Sequence, residues 1–184
     1  GNKEWISLEN ISPYLIDATI STEDKRFYSH PGFDFIRIIK SVYVNLTTKN
    51  ISQGASTITQ QLARHLFSNF DKTWKRKIKE AWYAFRLEIN YTKDEILEGY
   101  LNTINYGQGN YGIENASNFY FNKSANNLTL AEASMLVGIP KSPSNYSPLV
   151  NKEIAKKRQI NILKKMLNEK IISEKEYNDA IKEE

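Results

Sequence analysis

The 184-residue sequence predicts a mainly α-helical chain. One ground is a repeated capping signature, a Ser or Thr followed three residues later by Glu or Gln, at Thr57…Gln60, Thr92…Glu95, Thr129…Glu132 and Ser173…Glu176. Each stands before a run of apolar residues at helical spacing, and no segment shows strand alternation or an internal repeat. A further ground is punctuation: Gly107, Gly109 and Gly112 mark one loop, and Pro140, Pro143 and Pro148 stiffen another.

Taken in order, Ser12 and Pro13 read as a helix start, and Leu15, Ile16, Thr19 and Ile20 continue it. Glu23 and Asp24 then fall at or just past the helix C-terminus. The macrodipole disfavours a carboxylate there, so one of the pair should be more basic than usual, which suits a general base or acid. Two exposed carboxylates paired with Lys25 and Arg26 are the structural alternative. Residues 33–48 are apolar around most of a helix, with Arg37 and Lys40 among the few polar members. Such a helix is buried in a core or rests in an interface, and its basic residues favour a membrane surface.

Next, Gln53 to Gln61 places Gly54, Ser56 and Thr57 at a helix N-terminus, followed by Gln60 and Gln61. Unpaired N–H groups there suit an anion or a sugar hydroxyl, whereas an ordinary capped helix with two surface glutamines is the plainer reading. The following helix carries an apolar stripe of Trp74, Ile78, Ala81, Trp82, Phe85 and Ile89. At 100° per residue, Arg76 and Glu80 project from the opposite face with Tyr83 and Leu87, which suits a cleft wall. Glu80 beside Arg76 and Lys77 should stay ionised and orient those cations. Ile96 to Asn102 reads as an amphipathic helix, with Asn102 either a C-cap or a site residue. Residues 152–184 read as a terminal helical pair with Ile162, Leu163, Met166 and Leu167 facing inward.

Composition narrows the chemistry. The chain has no cysteine and only two histidines, His30 and His65, so thiolate or histidine-rich metal sites are not expected. A formal charge of +4 suits an anionic partner, but the basic residues lie beside acidic ones and no nucleic-acid motif is present. No apolar run is long enough to span a bilayer and no signal peptide is seen, so a membrane anchor is expected outside this chain.

Together the motifs resemble the peptidoglycan glycosyltransferases, which include monofunctional enzymes and the glycosyltransferase half of class A penicillin-binding proteins. Glu23, Asp24, Phe27, His30 and Gly32 match ED-x-x-F-x-x-H-x-G, and Gly54 to Gln61 match G-x-S-T-I-T-Q-Q. Arg76, Lys77 and Glu80 match R-K-x-x-E, and Ile96 to Gly107 match I-L-E-x-Y-L-N-x-x-x-x-G. Tyr111 to Ala116 and Leu136 to Pro143 also look like this family, and the proline-rich loop is closest to its bifunctional members. Arg64 stands where the family usually has lysine, exchanging a point charge for a planar fork.

The resemblance implies a lysozyme-like helical fold in one domain over 1–184, with a larger globular lobe and a smaller membrane-facing lobe containing 33–51. It implies polymerisation of lipid II into glycan strands. Glu23 and Glu80 are the expected catalytic carboxylates. Asp24, Phe27, His30, Gly54, Ser56, Thr57, Gln60, Gln61, Arg64, Arg76, Lys77 and Asn102 are the expected substrate-binding residues. A divalent cation, Mg or Mn, could assist the pyrophosphate leaving group, although no ligand set stands out. The implied partners are lipid II, the growing glycan, the membrane surface on the extracytoplasmic face and a transpeptidase domain, with no nucleic acid. A lysozyme-like muramidase is the rival enzyme, but it has no use for cations around its second acid. A non-catalytic wall- or membrane-binding module would not need both Glu23 and Glu80.

Overall fold

A computed structural model describes residues 4–48, 55–67 and 74–183. The chain divides into two compact units, Gly1–Lys25 with Leu101–Glu184, and Arg26–Tyr100. Among the described residues extended pairing is confined to one bridge, Asn105–Tyr111. The expectation of a helical chain therefore holds, and the four capping signatures all form. Thr57, Thr129 and Ser173 each close a reciprocal box with Gln60, Glu132 and Glu176. Thr92 and Glu95 exchange the same pair of bonds at 3.0 and 3.1 Å.

The first unit opens with α1, Pro13–Glu23, whose start and end fall where the sequence places them. Ser12 fixes its entry, its N–H donating to the Ala125 carbonyl and its hydroxyl to that of Leu128. After the crossing from the second unit come α6, Ile113–Phe121, α7, Leu130–Val137, the short α8, Pro143–Tyr146, α9, Lys152–Asn168, and α10, Glu174–Lys182 (α2 to α5 belong wholly or partly to the second unit). Helices α1, α7 and α9 pack on one another, and α10 closes on α9. Their core holds Leu15 and Ala18, Ala133 and Leu136, and Ile162, Leu163 and Met166. Burying each of the larger aliphatic side chains contributes roughly 1.5 to 3 kcal/mol before the entropy of ordering it. A buried amide adds direction: Gln159 Nε2 donates to the Ala131 carbonyl at 2.7 Å, tying α9 to α7.

The second unit contains α2, Phe35–Thr48, α3, Ile58–Leu66, and α4, Trp74–Asn90. Helix α5, Lys93–Thr103, begins in this unit and ends in the first. Helix α3 packs along α4, with Ile58, Leu62 and Ala63 against the face that carries Ala84 and Leu87. Helix α2 corrects one alternative left open by the sequence. Phe35, Ile36, Ile39, Val42, Tyr43 and Leu46 are all exposed, so this stripe is not core, and the helix turns Ser41 inward instead. Helix α4 does likewise. Ile78, Trp82, Phe85 and Ile89 are exposed, while Glu80 and Leu87 of the face expected to wall a cleft pack inward together with Ala84. Among the described residues no helix is long and apolar enough to cross a membrane.

One glycine of the 107–112 loop is fixed by close approach. Gly112 has φ +90°, and a Cβ there would stand 2.6 Å from the Asn102 carbonyl oxygen. Gly112→Ala therefore combines a left-handed strain with a backbone clash. We expect it to lower stability by about 3 kcal/mol, read from the midpoint of urea unfolding.

Candidate active site

In the second unit the decisive group is the Glu80 carboxylate. Glu80 has no exposed surface, and a carboxylate in that position must be paired and hydrogen-bonded to stay charged. Its partners come from two helices. Arg64 of α3 presents its fork, Nε donating to Oε2 at 3.0 Å and Nη2 to Oε1 at 3.3 Å. Lys77 of α4 donates to Oε1 at 3.4 Å. Ser56 joins the two cations, its hydroxyl accepting from Arg64 Nη2 at 3.3 Å and from Lys77 Nζ at 3.1 Å. The Ser56 carbonyl is held in turn by Arg37 Nη1 at 3.2 Å. Arg76 precedes Lys77, and its Nε is buried with no hydrogen-bond partner. The arrangement is a cationic cluster organised on one buried anion, with its lysine half exposed.

Glu80 thus lies among cations, as the sequence led one to expect, with Arg64 and Lys77 as its partners. It has no surface to offer a substrate and both its oxygens face cations, so it is a positioning residue for Arg64 and Lys77. The fork explains how arginine serves where the family usually has lysine. The planar fork lets one side chain meet both carboxylate oxygens and Ser56 in a fixed geometry, where an ammonium acts as a point charge.

Several other expected binding residues make contacts within the fold. Phe27 is fully buried, and nearly buried His30 accepts the Gly32 N–H at Nδ1, 3.0 Å away. Thr57 is also fully buried, donating its hydroxyl to the Gly32 carbonyl at 2.8 Å while accepting from Gln60 N–H. Gln60 returns the capping bond to Thr57 N–H, so two of the helix-start donors expected to face a ligand are consumed locally. Gln61 accepts from the Tyr100 hydroxyl at 3.1 Å. Gly54 lies outside the described residues, as do residues 49–51. Sequence reasoning passed over Glu88, Lys93 and Thr59, which form a further polar group in this unit.

In the first unit Glu23 is the last residue of α1, and Asp24 closes the helix by donating its N–H to the Ile20 carbonyl at 2.9 Å. Glu23 is partly exposed, whereas Asp24 is buried. This separates a residue able to meet a substrate from one that shapes the chain beside it. Tyr106 lies within the electrostatic reach of Glu23. Burial first, and then the Glu23 charge, push its hydroxyl far above the ordinary tyrosine range, so it stays a neutral phenol. Its backbone is fixed by the Tyr120 hydroxyl, which donates to the Tyr106 carbonyl at 2.7 Å. Asn102 is a clamp: its Oδ1 accepts Ile6 N–H at 2.8 Å and its Nδ2 donates to the Ile6 carbonyl at 2.9 Å. Buried and so engaged, it binds the N-terminal segment.

Residues 1–167 match the family described as Transglycosylase. The chain belongs to the transglycosylase family. This transglycosylase shares 54% identity over 179 residues with penicillin-binding protein 2D of Bacillus subtilis (strain 168), covering 97% of this chain and 26% of that protein. It shares 44% identity over 182 residues with penicillin-binding protein 1A of Neisseria flavescens, covering 99% of this chain and 23% of that one. The crystal structure of penicillin-binding protein 1A from Haemophilus influenzae superimposes with a TM-score of 0.58 at 26% identity, covering all of this chain and 18% of that chain. The chain thus spans about a quarter of the length of its curated relatives. The family that the ordered motifs resemble is the family found, and the lysozyme-like helical fold expected from it is the fold observed.

The cluster makes a stability prediction. Arg64→Met leaves the buried Glu80 charge with Lys77 alone and should cost about 3 kcal/mol. Arg64→Lys keeps a charge but loses the fork, and should cost about 1 kcal/mol. Urea unfolding midpoints with unchanged slopes would register both losses.

Proposed function

We propose that this transglycosylase domain is a peptidoglycan glycosyltransferase that polymerises lipid II into linear glycan strands. The observation that carries the reading is the cationic cluster built on Glu80. A transferase that expels a lipid pyrophosphate needs preorganised positive charge at its leaving group. Arg64, Lys77 and Arg76 supply three cations, and the one carboxylate among them keeps two of them oriented before substrate arrives.

The reaction is one inverting displacement. Glu23 takes the proton of the acceptor sugar's 4-hydroxyl, and that oxygen attacks the anomeric carbon of the growing, lipid-linked donor. The bond from that carbon to the pyrophosphate oxygen breaks as the new glycosidic bond forms, and the pyrophosphate leaves with the electron pair. Arg64, Arg76 and Lys77 receive its charge. Ser56 and the accessible parts of Gln60 and Gln61 lie in the same unit as those cations and line the donor side. Asp24 shapes the chain next to Glu23.

Among the described residues the side chains do not by themselves form a cage for Mg or Mn. Both Glu80 oxygens already face cations, and among the described residues no three His, Cys, Asp or Glu side chains gather as a metal site.

A lipid-linked substrate sets the location. The exposed apolar stripes of α2 and α4 belong to the same unit as the cation cluster. They fit contact with a bilayer, where a polyprenyl donor resides. We place the domain on the extracytoplasmic face of a bacterial membrane, anchored through sequence outside this chain and accompanied by a transpeptidase domain, as the penicillin-binding relatives suggest.

Glu23→Gln keeps the shape of the side chain and removes the base. Its rate of polymer formation from labelled lipid II, followed on gels, should fall by roughly two to four orders of magnitude. A near-normal rate would remove Glu23 from the mechanism. Wild-type protein incubated with isolated peptidoglycan should release no fragments, and released fragments would favour a muramidase.

A further inference from the structure

In the same unit as the cation cluster, a second charged pair is mostly buried. Lys93, the first residue of α5, donates to Glu88 Oε1 of α4 at 2.6 Å, with side chains 19% and 13% exposed. Neither residue was assigned a role by the motifs. The pair reaches two separate segments. On one side Thr59 of α3 donates its hydroxyl to the same Glu88 oxygen at 2.7 Å. On the other side the ammonium stands 4.9 Å above the Phe27 ring and 3.4 Å from His30 Nδ1. Gly32 completes the lock. It adopts φ +103°, and the space a Cβ would occupy is filled by Glu88 Cγ, 2.9 Å away.

We propose that Lys93, acting with Glu88, is a positioning residue for the transfer reaction. The pair fixes the loop that follows Glu23 and Asp24, through Phe27, His30 and Gly32. It also fixes the first turn of α3 through Thr59. That turn begins just after Ser56, the residue on which Arg64 and Lys77 converge. A shift there displaces two cations at once, and small misplacements of groups that act in a transition state are costly in rate. The charge of the pair matters for orientation. An ammonium drawn by a carboxylate on one side and a ring face on the other has a single favourable position.

The inference rests on the glycosyltransferase reading, and the experiment separates the two. Lys93→Met alone strands the Glu88 charge, so it should lower the melting temperature as well as the rate. Lys93→Met with Glu88→Gln removes both charges, keeps the Glu88 methylenes under Gly32 and keeps an acceptor for Thr59. The double variant should regain most of the melting temperature yet keep a kcat on lipid II about 10- to 100-fold below wild type. Its KM should stay within about twofold, the signature of an interaction that counts in the transition state. Amide hydrogen exchange, read without substrate, should show faster exchange at Gly32 in both variants. A double variant that recovers kcat together with stability would overturn the proposal, because the pair would then be structural only. Wild-type exchange at Gly32 would overturn it as well. Wild-type protein that makes no polymer would instead refute the glycosyltransferase reading, and the exchange data would still decide whether the pair holds the loop.

Discussion

A carboxylate with no exposed surface has to be compensated where it lies, and the compensation of Glu80 organises its half of the molecule. Removing such a group from water costs several kcal/mol unless opposite charge and hydrogen bonds meet it. Arg64 supplies both through its fork, which requires α3 to lie along α4 at the right register. Lys77 and Ser56 then follow, since each is placed by a bond to that same ion cluster. The packing of Ile58, Leu62 and Ala63 on the Ala84 and Leu87 face is the apolar counterpart of this charge pairing. Neither part stands without the other. The apolar contacts exclude water from Glu80, and the ion pairs make that exclusion tolerable.

The same constraint shapes the proposed function. A cluster of cations left to itself would scatter through repulsion and solvation, and would bind a pyrophosphate only after reorganising. Anchored on a buried anion, two of the cations are held before the substrate arrives, which is the condition for electrostatic stabilisation of a leaving group. Outward, the second unit carries the exposed apolar stripes of α2 and α4. One small body therefore combines fixed positive charge with apolar surface, as the two ends of the proposed lipid pyrophosphate would require. The first unit offers the contrasting environment at Glu23: a partly exposed carboxylate at a helix end, beside a buried neutral phenol.

Much of this could be read from the sequence where the signal is local. Helix α1 runs from Pro13 to Glu23 as expected, because a proline at the first turn and a helical run of apolar residues are short-range instructions. The four capping boxes formed for the same reason. The site was legible in part. Ser56, Arg64, Lys77 and Glu80 do come together, and the full burial of Glu80 beneath the cations is what the sequence did not show. Phe27, His30, Thr57 and Asn102 were expected to touch substrate, and their burial and bonds show them holding chain segments. Motifs mark residues that matter without saying whether they matter by contact or by support.

The sequence by itself determined the helical class, the helix starts, the family and the position of Glu23 at the end of α1. Those rest on caps, spacing and motif order, which act within a few turns or survive as a pattern along the chain. Tertiary structure decided which face of each helix turns inward. Periodicity shows that α4 has one face with Trp82 and Phe85 and another with Glu80, but not which of them meets a neighbour. The outcome depended on Arg64, sixteen residues before Glu80, arriving with a fork for its carboxylate. The Glu88–Lys93 pair was hidden for the same reason. A lysine opening a helix reads as solvated surface until Thr59, His30 and the Phe27 ring are brought around it from distant parts of the chain.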